Sequence, residues 1–111
     1  MECCGLLAGR DGVISAIFPA ANALSSATAF EIAPADIFQA FHEMREASLE
    51  HLGIYHSHPH GENTPSPRDM ERAFYPDAAY FIVSPRRDAV RPIRAFSLRD
   101  GGVREISIEP V

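Results

Sequence analysis

The segment Gly53-Ile54-Tyr55-His56-Ser57-His58 constrains the fold of this chain more than any other stretch. Its alternation places Ile54, His56 and His58 on one side and Tyr55 and Ser57 on the other, the two-residue period of a β-strand. Both imidazoles therefore share a face. At a rise of ~3.3 Å per residue they stand roughly 7 Å apart along the backbone, a span that side-chain rotation can close on one ion. Residues 59–65 (PHGENTP) form a loop, after which Ser66-Pro67-Arg68-Asp69 reads as a helix start, with Ser66 at the N-cap, Pro67 first and Asp69 third. This helix is expected to run to about Tyr75 and to stop at Pro76. Asp69 follows His58 by eleven positions, and the positive end of its helix helps keep the carboxylate ionised.

Two imidazoles and a carboxylate are the donor set of a catalytic zinc that keeps its fourth position for water. Such a zinc brings the water pKa toward ~7 and polarises a scissile carbonyl. Hydrolysis also needs a group that takes the water proton and returns it to the leaving amine. Glu2 is the candidate, because the first predicted strand can run beside the one ending in His58. Ser66 can donate to the developing oxyanion, a contribution of ~3 kcal/mol for donors of this kind. Taken singly, each residue has a plainer reading. Ser66 with Asp69 is a capping box with Asp in place of Glu, Glu2 is a terminal carboxylate, and one histidine at a strand end is a satisfied polar group. The shared face of His56 and His58, with Asp69 placed to join them, favours the metal.

The remaining chain supplies a scaffold. Residues 2–9 and 13–18 are apolar runs around Asp11-Gly12, a hairpin signal, and a bend is expected at Pro19. Residues 20–28 suit a loop, and Phe30-Glu31-Ile32 one short strand. From Asp36 to Leu52 the residues Ile37, Phe38, Phe41, Met44 and Leu52 recur near helical spacing. Strands are expected at 79–83, 92–98 and 103–108, the last two joined through Arg99-Asp100-Gly101-Gly102.

Weaker motifs carry less. His42-Glu43-Met44-Arg45-Glu46 lacks the second histidine of the helical zinc motif and reads as a solvated helix face. His60 lies beyond Pro59 and reads as a rim residue. His51 is expected near a helix end, and Arg86-Arg87 in a solvated turn. Cys3 and Cys4 are adjacent, which strains a disulfide, so they read as reduced thiols.

With 111 residues the chain fits one domain spanning 1–111. Its net charge of -5 offers no basic field for nucleic acid. No apolar stretch is long enough for a membrane span and no secretory signal is visible, so the expected location is cytoplasmic.

Glu2, His56-Ser57-His58-Pro59 and Ser66-Pro67-Arg68-Asp69 together resemble the JAMM (MPN-plus) metallopeptidase signature. The Glu-Cys-Cys-Gly-Leu-Leu opening and the stretch from Pro76 to Ser84 resemble its short prokaryotic branch. The resemblance implies an α/β fold with a curved, largely antiparallel sheet flanked by helices, of the cytidine-deaminase-like JAMM/MPN type. It implies zinc (Zn2+) held by His56, His58 and Asp69, Glu2 as general acid and base, and Ser66 assisting the oxyanion. It further implies cleavage of peptide or isopeptide bonds after the Gly-Gly tail of a ubiquitin-like or sulfur-carrier protein. Family members carry a helix before the Glu, whereas Glu2 follows Met1 directly. That helix is therefore expected to be missing, leaving Glu2 less firmly positioned. Two alternatives stand beside the hydrolase: a non-catalytic binding or scaffold module for a ubiquitin-like partner, favoured by the missing helix, and a structural zinc, disfavoured because such sites close with four ligands.

Overall fold

The computed structural model describes residues 3–24, 30–59 and 61–111. Strands β1 (Cys4–Arg10) and β2 (Val13–Ala20) form the hairpin expected around Asp11-Gly12. Both turn residues have positive φ, 53° and 77°, as a two-residue turn matching the strand twist requires. The expected bend at Pro19 does not occur. Pro19 lies inside β2 opposite Gly5, and β2 is an edge strand, where a residue without an N–H leaves no inner ladder bond unmade.

Helix α1 (Pro34–Glu46) opens with Pro34 in its first turn and buries Ala40 and Met44. It ends before the expected Leu52. Ser48 takes φ 55°, and the chain enters β3 (Glu50–Ser57), whose Glu50 and His51 pair with Gly9 and Ala8 of β1. Leu52 fits the helical and the strand period alike, and cross-strand pairing decides between them. The strand expected at Phe30-Glu31-Ile32 is reduced to one bridge between Ile32 and Asn22.

Helix α2 (Pro67–Glu71) is capped as expected but shorter, with Arg72 at its C-cap instead of a run to Tyr75. Strands β4 (Ala79–Val83), β5 (Ile93–Arg99) and β6 (Gly102–Ile106) follow. Asp100 and Gly101, with φ 52° and 74°, repeat the tight turn of the first hairpin.

The strands form one mixed sheet in the order β2-β1-β3-β4-β5-β6. Only the β3–β4 pair among them is parallel. A parallel neighbour requires a crossover, and α2 with its flanking loops provides it. One face carries Cys4, Leu6, Ala8, Ile54, Tyr80, Ile82, Phe96 and Leu98, all buried with Ala40 and Met44 of α1. Met70 of α2 packs on this same core, so both helices lie on one side of the sheet. On the opposite face the Tyr55 ring lies over Gly5, where any Cβ would clash with it. Among the described residues no helix is long and apolar enough to cross a membrane.

Candidate metal centre

His56 is the last-but-one residue of β3, and the strand period that buries Ile54 beneath α1 also buries His56, which is 1% exposed. His58 follows directly, its N–H donating to the Val83 carbonyl at the end of β4. Asp69 arrives from the crossover through a capping box: the Ser66 hydroxyl accepts from the Asp69 N–H at 3.1 Å, and Asp69 Oδ2 accepts from the Ser66 N–H at 2.8 Å. The capping reading of the Ser66–Asp69 pair holds, and the cap presents the carboxylate to the histidines.

The three side chains meet. His56 Nε2 lies 3.1 Å from Asp69 Oδ1, His58 Nε2 lies 3.1 Å from Asp69 Oδ2, and the two Nε2 atoms are 3.1 Å apart. A tetrahedral ion with bonds of ~2.05 Å has ligand-to-ligand edges of about 3.3 Å, close to each of these separations, in which the two imidazole nitrogens face different oxygens of the one carboxylate. The donor chemistry agrees. His58 Nδ1 lies 2.9 Å from the Glu62 carbonyl, an acceptor that favours the neutral ring with its proton on Nδ1 and a lone pair on Nε2. Two imidazole nitrogens and a carboxylate converging in this way can share protons as hydrogen bonds or hold a cation between them. Burial by itself would raise the Asp69 carboxyl pKa. When the imidazoles carry protons on Nε2, hydrogen bonds from His56 and His58, the charge of His56 and the Ser66 N–H outweigh burial and hold it well below the usual carboxylate range.

Several parts of this arrangement have no sequence signal. Phe30 stacks on His56 with ring centroids 4.3 Å apart and planes at 17°. The Glu62 contribution is a backbone carbonyl, which any residue type would provide. Among the described residues His56 Nδ1 is buried without a hydrogen-bond partner. Glu2 and His60 lie outside the described residues. Next to Glu2 in sequence, Cys3 makes two bonds to the middle of the His-x-His motif: its N–H donates to Ser57 Oγ and its carbonyl accepts from the Ser57 N–H, each at 2.9 Å. Cys4 stands opposite His56 in the β1–β3 register. Cys3 and Cys4 are not bridged. His42, Glu43 and Glu46 are exposed, as a solvated helix face requires. His51 is not near a helix end as expected but on β3, edge-on to the rings of Phe41 and Tyr75. Arg86 pairs with Asp88 on the surface.

A family model described as prokaryotic homologs of the JAB domain matches residues 1–99. The CysO-cysteine peptidase of Mycobacterium tuberculosis is 35% identical over 112 residues, covering 99% of this chain and 75% of that protein. The desampylase of Haloferax volcanii is 36% identical over 87 residues, covering 76% of this chain and 63% of its own length. The solution structure of protein DSY2949 from Desulfitobacterium hafniense superposes with a TM-score of 0.83 at 33% identity, covering 97% of this chain and 77% of that one. A match across nearly the whole sheet and its crossover, with His56, His58 and Asp69 gathered at the end of the parallel strand pair, shows that this chain belongs to the prokaryotic JAB-domain family, the family of JAMM/MPN proteins.

Proposed function

We propose that this protein is a zinc-dependent metallopeptidase that hydrolyses a peptide or isopeptide bond after the Gly-Gly tail of a ubiquitin-like or sulfur-carrier protein. The observation that carries this reading is the convergence of His56, His58 and Asp69, in which each imidazole Nε2 lies 3.1 Å from one oxygen of the Asp69 carboxylate and 3.1 Å from the other Nε2. The names of the relatives, CysO-cysteine peptidase, desampylase and, for a Thermus thermophilus protein, probable TtuB-protein conjugate cleaving protease, support a hydrolytic activity on conjugates. The carrier-protein substrate follows from the family resemblance.

His56 and His58 through Nε2 and Asp69 through its carboxylate would hold the zinc. When bound, zinc supplies Lewis acidity toward a water and toward the scissile carbonyl. Glu2 takes the proton of the attacking water and returns it to the leaving amine. The strand that follows it supports that role: Cys4, two positions on in sequence, stands opposite His56. The Ser66 hydroxyl accepts from the Asp69 N–H and keeps its own proton to donate to the developing oxyanion.

The test is incubation of the purified protein with a carrier protein extended beyond its Gly-Gly end, followed by intact-mass spectrometry. The zinc-loaded protein should release the extension, a chelator should stop release, and Glu2→Gln should bind zinc yet leave the substrate intact. Cleavage by Glu2→Gln at the parental rate would eliminate Glu2 as the base. Binding of the carrier without cleavage would point to a scaffold module.

A further inference from the structure

His58 is held from behind by a peptide carbonyl, and the position of that carbonyl depends on a side chain remote from the three donor atoms. Glu62, whose carbonyl lies 2.9 Å from His58 Nδ1, belongs to the loop between β3 and α2. Its neighbour Asn63 is only 8% exposed although it is polar and in a loop. A buried amide is costly unless it is hydrogen-bonded. Asn63 meets this requirement by donating from Nδ2 to the Arg91 carbonyl at 2.7 Å. Arg91 lies in the loop between β4 and β5, which is closed by the Ser84 N–H donating to the Pro92 carbonyl at 2.8 Å. Because β3 and β4 are parallel, both loops leave the sheet at the same end, and the Asn63 amide ties one to the other.

We propose that Asn63 is a positioning residue for the metal donor His58. By pinning its loop to Arg91 it fixes the Glu62 carbonyl against His58 Nδ1. The inference rests on the metal reading above and extends it to a residue outside the donor set. A neutral imidazole carries one proton, and only the tautomer with that proton on Nδ1 leaves Nε2 to bind a metal. An acceptor fixed behind the ring selects this tautomer, sets the ring plane and raises the basicity of Nε2. On an unpinned loop the same carbonyl has to be ordered each time it is used, at an entropic cost borne by metal binding. Loss of such a partner typically lowers metal affinity by ~10–100-fold.

Asn63→Leu keeps the approximate volume and removes the donor. Two measurements test it: the zinc dissociation constant from competition with a chelator, and the His58 Nδ1–H resonance of the zinc-loaded, 15N-labelled protein. The dissociation constant should rise ~10–100-fold, and the Nδ1–H signal should weaken through faster exchange and move upfield, with the backbone amide spectrum otherwise dispersed as in the parent. If the leucine variant does not fold, Asn63→Ser removes the reach of the amide with less apolar bulk and is read in the same way. Parental zinc affinity in the variant overturns the inference. Weakened binding with an unchanged Nδ1–H signal also overturns it, because Asn63 would then act by another route. If the parent itself binds no zinc, the metal reading falls and this inference with it, whereas zinc binding by the parent with equal binding by the variant sinks the Asn63 inference alone.

Discussion

Asp69 takes part in two local structures at once. It closes the cap of α2 with Ser66 and turns its carboxylate toward His56 and His58. Asp69→Asn separates these roles. The amide oxygen can still accept from the Ser66 N–H, so the cap itself should lose no more than about 1 kcal/mol, the usual size of a capping effect. Zinc content by metal analysis should drop to background, because a neutral amide is a poor ligand beside two imidazoles. Full occupancy in this variant would remove Asp69 from the donor set. The spacing of His56, His58 and Asp69 was legible because strand period and cap chemistry are local. Phe30 and the Glu62 carbonyl were not, since a ring stacked across the fold and a backbone acceptor leave no mark on local pattern.

His51 gives a second prediction at this scale. Burial pushes its pKa below the ordinary value of 6.5, and the hydrogen bond from Nε2 to the Gly53 carbonyl opposes this only in part. The unfolded chain therefore binds a proton more readily than the folded one. The stability contributed by neutral His51 is fully present above pH ~6.5 and is lost as pH falls through that value. His51→Phe retains the edge-on packing against Phe41 and Tyr75 and cannot be protonated. Denaturation of both proteins from pH 7.5 to 5 should show the variant gaining relative to the parent as pH decreases. A constant difference would show that His51 does not titrate with folding.

Among the elements, α1 shows where local periodicity was overruled. Its apolar spacing extends to Leu52, yet the helix ends at Glu46 and the chain turns at Ser48 with φ 55°. Arg10 at the end of β1 meets this terminus, its guanidinium donating to the Ala47 carbonyl at 2.5 Å and the Ser48 carbonyl at 3.1 Å. A cation at the last carbonyls suits a helix C-terminus, and it marks the crossing point from helix to sheet. A residue with a Cβ at positive φ is held in a costly conformation, which glycine adopts freely. Ser48→Gly should therefore raise stability by about 1 kcal/mol, seen as a higher urea midpoint with unchanged slope. A lower midpoint would show that the Ser48 side chain contributes more than its backbone conformation costs.

For the whole molecule, the proposed ion joins the end of β3 to the start of the crossover helix and so links segments that fold from separate parts of the chain. A ligand that binds only the native state stabilises it by mass action, by about 4 kcal/mol at a thousand times its dissociation constant. Saturating zinc should raise the melting temperature of the parent, a chelator should return it to the metal-free value, and His58→Ala should melt at one temperature in both conditions. A zinc-dependent shift that survives in His58→Ala would place the stabilising ion elsewhere.

Alternation along residues 53–58 gave both histidines one face, the Asp-Gly pairs set two tight turns, and Ser66-Pro67 set the helix start that carries Asp69. These features depend on steric and hydrogen-bonding rules that act within a few residues. The tertiary structure alone decided the strand order, the parallel β3–β4 pair, the end of α1 and the loop contacts behind His58. Each of these is a choice among partners distant in sequence, made by burying one sheet face and pairing backbone groups, and backbone groups are the same at every position.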